Sequence, residues 1–154
     1  MNLDLKNEVV VEKKEIQARR RARKLALQAL YQWHMSGAAL VEIEAQFRAV
    51  TAMDKVDDVY FCRLLYDIPK YIAEIENAFV AYLDRPVESL NPIELTALRI
   101  GAFELLYSPE IPCLVVLDES VSLCRVFGSQ DGHRYVNGVL NNLARQVRSI
   151  EMGA

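Results

Sequence analysis

The segment Leu95 to Leu106 constrains this chain most, because it is apolar around most of a helical circumference. A helix of that kind has no face to give to water, so other elements must surround it and it becomes the centre of a bundle. Its start is written just upstream. Asn91-Pro92-Ile93-Glu94 offers an N-cap, a proline at the first helical position and a glutamate at the third, the arrangement of a capping box. Ser108-Pro109 closes the helix at about Tyr107.

The remaining pattern is also helical, and strand alternation is nearly absent. Ala22, Leu25, Ala26, Ala29, Leu30 and Trp33 recur at the spacing of one helical face, and Gly37 ends that helix. A second helix is expected over about Ala38–Val50, packing Leu40, Ile43 and Phe47, and a third over about Asp57–Ile68. Pro69 fits the first turn of a fourth, carrying Ile72, Ile75, Phe79 and Leu83. Asp84-Arg85-Pro86 breaks the pattern and marks a hinge between two halves. After the central helix, Pro112 opens another, with Leu117, Ser120, Val121 and Cys124 on one face and Gly128 at its end. A last helix over about Gly132–Arg148 buries Val136, Val139, Leu140, Leu143 and Val147. The expected fold is all-α, about seven helices. Residues 1–17, which mix charges with Val9, Val10 and Val11 without a period, read as a flexible leader. One domain, 18–154, follows, with subdomains 18–84 and 85–154.

Charge singles out one place. Arg19, Arg20, Arg21, Arg23 and Lys24 fall within six residues of a chain holding 18 Lys+Arg against 21 Asp+Glu, so everything else stands at 13 against 21. A concentrated cation on an acidic chain is an electrostatic address for a phosphate backbone, although a solvated helix start carries such runs too. On the same helix, Arg20, Lys24, Leu27, Gln28, Tyr31 and Met35 lie opposite the core stripe. Leu27, Tyr31 and Met35 are then large apolar groups facing outward, for a protein partner or under a further helix of the bundle. Arg99 falls inside the apolar arc of the central helix and must be paired there, with Glu94, Glu104 or another helix, or be held for a phosphate or base. Near the last helix start, Asp131 is an N-cap candidate, while Arg134 and Tyr135 present a cation beside an aromatic, a pair suited to an unpaired base.

Other classes find little support. Two histidines, His34 and His133, stand far apart, and no metalloprotease, nucleophile-elbow, phosphate-loop or dinucleotide motif occurs. A Cys124, His133 and Asp131 set fails on Cys124, which sits on a core stripe where thiols are inert. Cys62, Cys113 and Cys124 show no metal-ligand spacing and suit buried, reduced thiols. Neither a cofactor nor a metal is expected. No apolar run approaches the roughly 18 residues of a membrane span, and no secretory signal pattern opens the chain, so a soluble cytoplasmic protein is expected.

Three blocks together resemble the NusB family of bacterial transcription antitermination factors. They are ARRRARKLALQALYQW (Ala18 to Trp33), LNPIELTALRIGAFELL (Leu90 to Leu106) and IPCLVVLDESVSLCRVFGSQDGHRYVNGVLNNLA (Ile111 to Ala144). The resemblance implies two packed three-helix subdomains. It also implies binding of the boxA segment of ribosomal RNA leaders together with NusE, a small-subunit ribosomal protein, in the transcription elongation complex. By that resemblance, RNA contacts would fall on Arg19, Arg20, Arg21 and Arg23 and on Gln28, Arg99, Arg134 and Tyr135, with Asp131 influencing affinity and Lys24 completing the basic run. Protein-partner contacts would fall on Tyr31, Met35 and Glu94. A second copy of the chain is a further candidate partner. Tyr135 stands where a phenylalanine is common in the family, and the leader is longer than the family pattern requires. Two other functions remain: a helical adaptor that binds only protein, and an RNA-recognition module like that of ribosomal RNA cytosine methyltransferases.

Overall fold

The computed structural model describes residues 2–128 and 131–153, side chains from Leu5 onward; Met1, Ala154 and, within the Phe127 to Gly138 segment, Ser129 and Gln130 lie outside the described residues. Seven α-helices and two short 3-10 turns make up the described secondary structure, with no strand among those residues. They form two compact units that divide between Leu65 and Tyr66.

The first unit contains α1 (Asn2–Ser36), α2 (Leu40–Val50), a 3-10 turn (Met53–Lys55) and the larger part of α3 (Asp58–Lys70). The stripe Ala22, Leu25, Ala26, Ala29 and Leu30 is buried as its period requires, with Ile43 from α2 and Phe61, Leu64 and Leu65 from α3. Fully burying one such leucine or phenylalanine contributes about 1.5–3 kcal/mol. Trp33 stays half-buried. Gly37 stops α1 in the left-handed region at φ 66°, its N–H donating to the Trp33 carbonyl at 2.9 Å. The loop before α3 is tied back by the Asp57 N–H, which donates to the Ala18 carbonyl at 3.0 Å.

Residues expected as a patternless leader are the opening turns of α1 from Asn2 onward, and every described side chain from Leu5 to Gln17 is exposed. No packing stripe exists there to announce a helix. Leu, Lys, Glu and Gln are nonetheless good helix formers, and extending a packed helix requires no new nucleus.

In the second unit, α4 (Ile72–Val80), α6 (Cys113–Phe127) and α7 (Gly132–Val147) surround α5 (Pro92–Tyr107). Every residue of α5 from Leu95 to Leu105 is buried, as its apolar circumference requires. The Asn91 side chain accepts from the N–H groups of Ile93 at 2.9 Å and Glu94 at 3.3 Å, and Pro92 occupies the first turn. At Gly101 the helices pack closely: a Cβ there would lie 2.5 Å from Leu140 Cδ1 on α7 and 2.6 Å from Ser120 Oγ on α6.

Four expectations change. Pro69 does not open α4 but sits in the last turn of α3, and the break falls at Tyr71, whose ψ of 23° leaves the helix. The compact units do not divide at 84/85, because α4 packs on α5 and α7 and thus belongs with the second half. Val147 is 40% exposed, and the neighbouring Arg148 turns inward at 8% exposure. Cys113 and Cys124 are buried free thiols, whereas Cys62 is half-buried beside Arg48 and Asp58.

Candidate nucleic-acid interface

In the first unit, helical spacing divides the basic run. Arg19 and Arg23 lie one turn apart and both reach Tyr60, with guanidinium carbons 4.2 and 5.5 Å from the ring centroid. Arg19 also stands 3.7 Å from the Asp57 carboxylate. Arg23 is 3% exposed, so its guanidinium lies inside the unit, unlike those of Arg20 and Arg21. Arg20, Arg21 and Lys24 project to solvent, and Arg21 approaches the Lys55 carbonyl at 3.5 Å.

One turn further along that outward face, Gln28 is exposed and donates to the Lys24 carbonyl at 3.3 Å. Tyr31 is half-buried and Met35 is 59% exposed. Leu27 does not join them, for it is fully buried. Of the three apolar groups read as an outward row, the fold covers one.

In the second unit, Arg99 is 7% exposed and donates to Glu76 on α4 through Nε at 3.0 Å and Nη2 at 2.6 Å. This partner of the guanidinium thus stands on another helix, α4. A charge-assisted contact of this kind holds the guanidinium firmly. Glu94, half-buried at the third position of α5, lies against the start of α7, where a Cβ on Gly132 would run into its carboxylate. Glycine at 132 lets the two helix starts meet.

Asp131 is exposed at the N-cap position of α7, yet its side chain makes no cap bond, since its backbone is already near-helical at φ −103° and ψ −5°. Arg134 is exposed. Tyr135 is half-buried, and its hydroxyl accepts from the Asp84 N–H at 3.4 Å. The Arg85 guanidinium stands 4.9 Å from the ring centroid and is bonded to Asp84 at 2.7 Å. Burial pushes the Tyr135 phenol upward, keeping it protonated. Sequence reading missed Arg85 in this role. It saw the residue only as part of a chain break, and no local signal connects it with an aromatic fifty positions away.

No group of acids, histidines and cysteines suited to a metal occurs among the described residues. Cys124 is fully buried and its thiol is pushed up to about 12, chiefly by loss of solvation, the opposite of an activated nucleophile. Among the described residues, no helix is long and apolar enough to cross a membrane.

These features define an all-helical protein whose most concentrated exposed charge is cationic and lies along one helix. Residues 20–145 match the family model described as NusB family. A transcription antitermination protein NusB from Legionella pneumophila (strain Corby) is 66% identical over 142 residues, covering 92% of this chain and 97% of its own. One from Pseudomonas fluorescens (strain Pf0-1) is 48% identical over 136 residues, with 88% and 82% covered. A solved structure, that of "T. maritima NusB", shares the fold at a TM-score of 0.73 and 21% identity, covering 88% of this chain and 97% of that one. The chain belongs to the NusB family of transcription antitermination proteins.

Proposed function

We propose that this protein binds boxA RNA of ribosomal RNA leaders together with NusE and acts in the cytoplasm, as part of the transcription elongation complex, to suppress premature termination. The observation that carries the reading is the exposure of Arg20, Arg21 and Lys24 within two turns of α1, on a chain that is otherwise acidic. Phosphate contacts of this kind position an RNA and make its binding salt-dependent. Arg134 and Tyr135 supply the second unit's share. Because Arg85 already stands over one face of Tyr135, an unpaired base stacks on the other. Asp131 beside them disfavours a close phosphate and so tunes affinity. Arg99, fixed by Glu76, contributes at most a rigid donor. Tyr31, Met35 and Glu94 form the protein-partner contacts, and a second copy of the chain competes for the same residues when the partner is absent.

Fluorescence anisotropy of a labelled boxA RNA, beside a scrambled strand and with or without NusE, tests this. Tighter binding of boxA, increased by the partner, is expected. Arg20→Ala should weaken both RNAs alike and lower the salt slope by about 0.7. Tyr135→Ala should erase part of the preference for boxA. Equal affinity for both strands, unmoved by the partner, overturns the reading in favour of a protein-only adaptor.

A further inference from the structure

The opening turns of α1 carry an arrangement of charge that their net charge conceals. Lys6, Lys13 and Lys14 are offset by Glu8, Glu12 and Glu15, so the described ionic side chains there sum to zero. At about 100° per residue, the lysines fall within about 75° of the mean direction of Arg20, Arg21 and Lys24. The three glutamates fall on the opposite side. A solvated helix that used its charges for its own stability would alternate glutamate and lysine four apart. Here Glu8 and Glu12, like charges, occupy that spacing, and only Glu15 has a cation there, Arg19. The segregation disfavours the isolated helix slightly, so helix stability does not account for it.

The second observation is a groove of about 700 Å³ where these turns meet the Met53–Lys55 turn. Lys13, Lys14, Arg21 and Lys55 line it against Glu15 and Asp54, a surplus of two positive charges in a concave surface. The walls are of mixed sign and include Val10, Val11 and Ala18, but their net positive balance favours an anion over a cation there.

We propose that the first turns of α1 form a second RNA track, on which Lys6, Lys13, Lys14 and Lys55 hold the phosphodiester backbone of single-stranded RNA flanking the segment bound by Arg20, Arg21 and Lys24. From Lys6 to Lys24 the cationic face runs about 27 Å along the helix. The family match begins at residue 20, so it assigns nothing to these turns. The proposal rests on the RNA reading above and lengthens the bound strand.

The test compares a minimal boxA oligonucleotide with the same oligonucleotide carrying oligouridine flanks on both sides. Wild-type protein should bind the flanked RNA more tightly. In the triple variant Lys6→Gln, Lys13→Gln, Lys14→Gln, the minimal RNA should bind as before and the gain from the flanks should disappear. Three lost phosphate contacts lower the salt slope by about 2, so between about 50 and about 200 mM salt the ratio of wild-type to variant affinity for flanked RNA should fall roughly fifteenfold. A second variant exchanges charges between faces: Lys6→Glu with Glu8→Lys and Lys13→Glu with Glu12→Lys. It keeps the net charge and should also lose the gain; if it binds flanked RNA as wild type does, the track is overturned and net charge is responsible. Minimal RNA that binds with no gain from flanks overturns the track and leaves the RNA reading standing. Failure of either RNA to bind, with or without NusE, overturns both. Circular dichroism of both variants distinguishes lost contacts from a melted helix.

Discussion

Arg148 is where a single side chain should matter most to stability. It donates to the carbonyls of Leu105 at 3.0 Å, Ile111 at 3.0 Å, Glu104 at 3.2 Å and Ser108 at 2.9 Å, and to the Glu151 carboxylate at 2.6 Å. Glu104 and Ser108 have other donors, the N–H groups of Ser108 and Ile111. The Leu105 carbonyl would ordinarily accept from residue 109, but Pro109 has no N–H to give. Among the described hydrogen bonds, the Ile111 carbonyl likewise receives only Arg148. Arg148→Met, which keeps the stem, leaves both carbonyls buried without a donor at about 1–3 kcal/mol each. Relief of the buried charge's own desolvation offsets part of that, so a net loss of about 3 kcal/mol is expected. For a chain of this size, such a loss lowers Tm by about 6–12 °C. Urea and thermal unfolding followed by circular dichroism measure it. A loss below about 1 kcal/mol would refute the view that this guanidinium closes the end of α5. Arg148→Lys, with one ammonium for four carbonyls, should fall between.

Two further outcomes are expected. Gly101→Ala gains helix propensity of about 1 kcal/mol but drives a methyl into Leu140 and Ser120; overpacking of about 1–3 kcal/mol should leave it even or destabilised, and a clear gain in urea unfolding would show that the three helices are looser than described. Hydrogen bonding from Arg48 at 2.6 Å is the main reason that the Asp58 carboxyl lies below its ordinary value of 3.8. The carboxylate therefore contributes stability above pH of about 4, lost as pH falls through the depressed folded value. Stability of Asp58→Asn measured between about pH 2 and pH 6 should vary less with pH than that of wild type; an unchanged profile would remove Asp58 from the acid response.

Most helix positions were legible because their causes are local. The Gly37 stop and the Asn91-Pro92 start depend on residues within four positions of one another, and the stripe from Ala22 to Leu30 repeats at the helix's own period. The unbroken apolar circumference of α5 announced its central place for the same reason. The initial turns of α1 escaped notice because a helix without a packing face leaves no period to read.

Within the candidate interface, sequence located the basic run, Gln28, Tyr31, Arg134 and Tyr135, but not which charges the fold consumes. Sequence by itself determined the all-helical class, the Gly37 stop, the Asn91 cap, the central helix and the place of the basic run. Tertiary structure decided that Arg23 turns in over Tyr60, that Leu27 is covered and that Arg99 is held by Glu76. It likewise decided that Arg85 lies over Tyr135 and that Arg148 closes the end of α5. The physical reason is range. Caps and periodicity are set by backbone bonds spanning about four residues, whereas these partners stand 23, 51 and 43 positions apart for Arg99–Glu76, Asp84–Tyr135 and Arg148–Leu105. Only packing brings such groups within reach, and only then does a charge become a buried pair, a clamp or a surface.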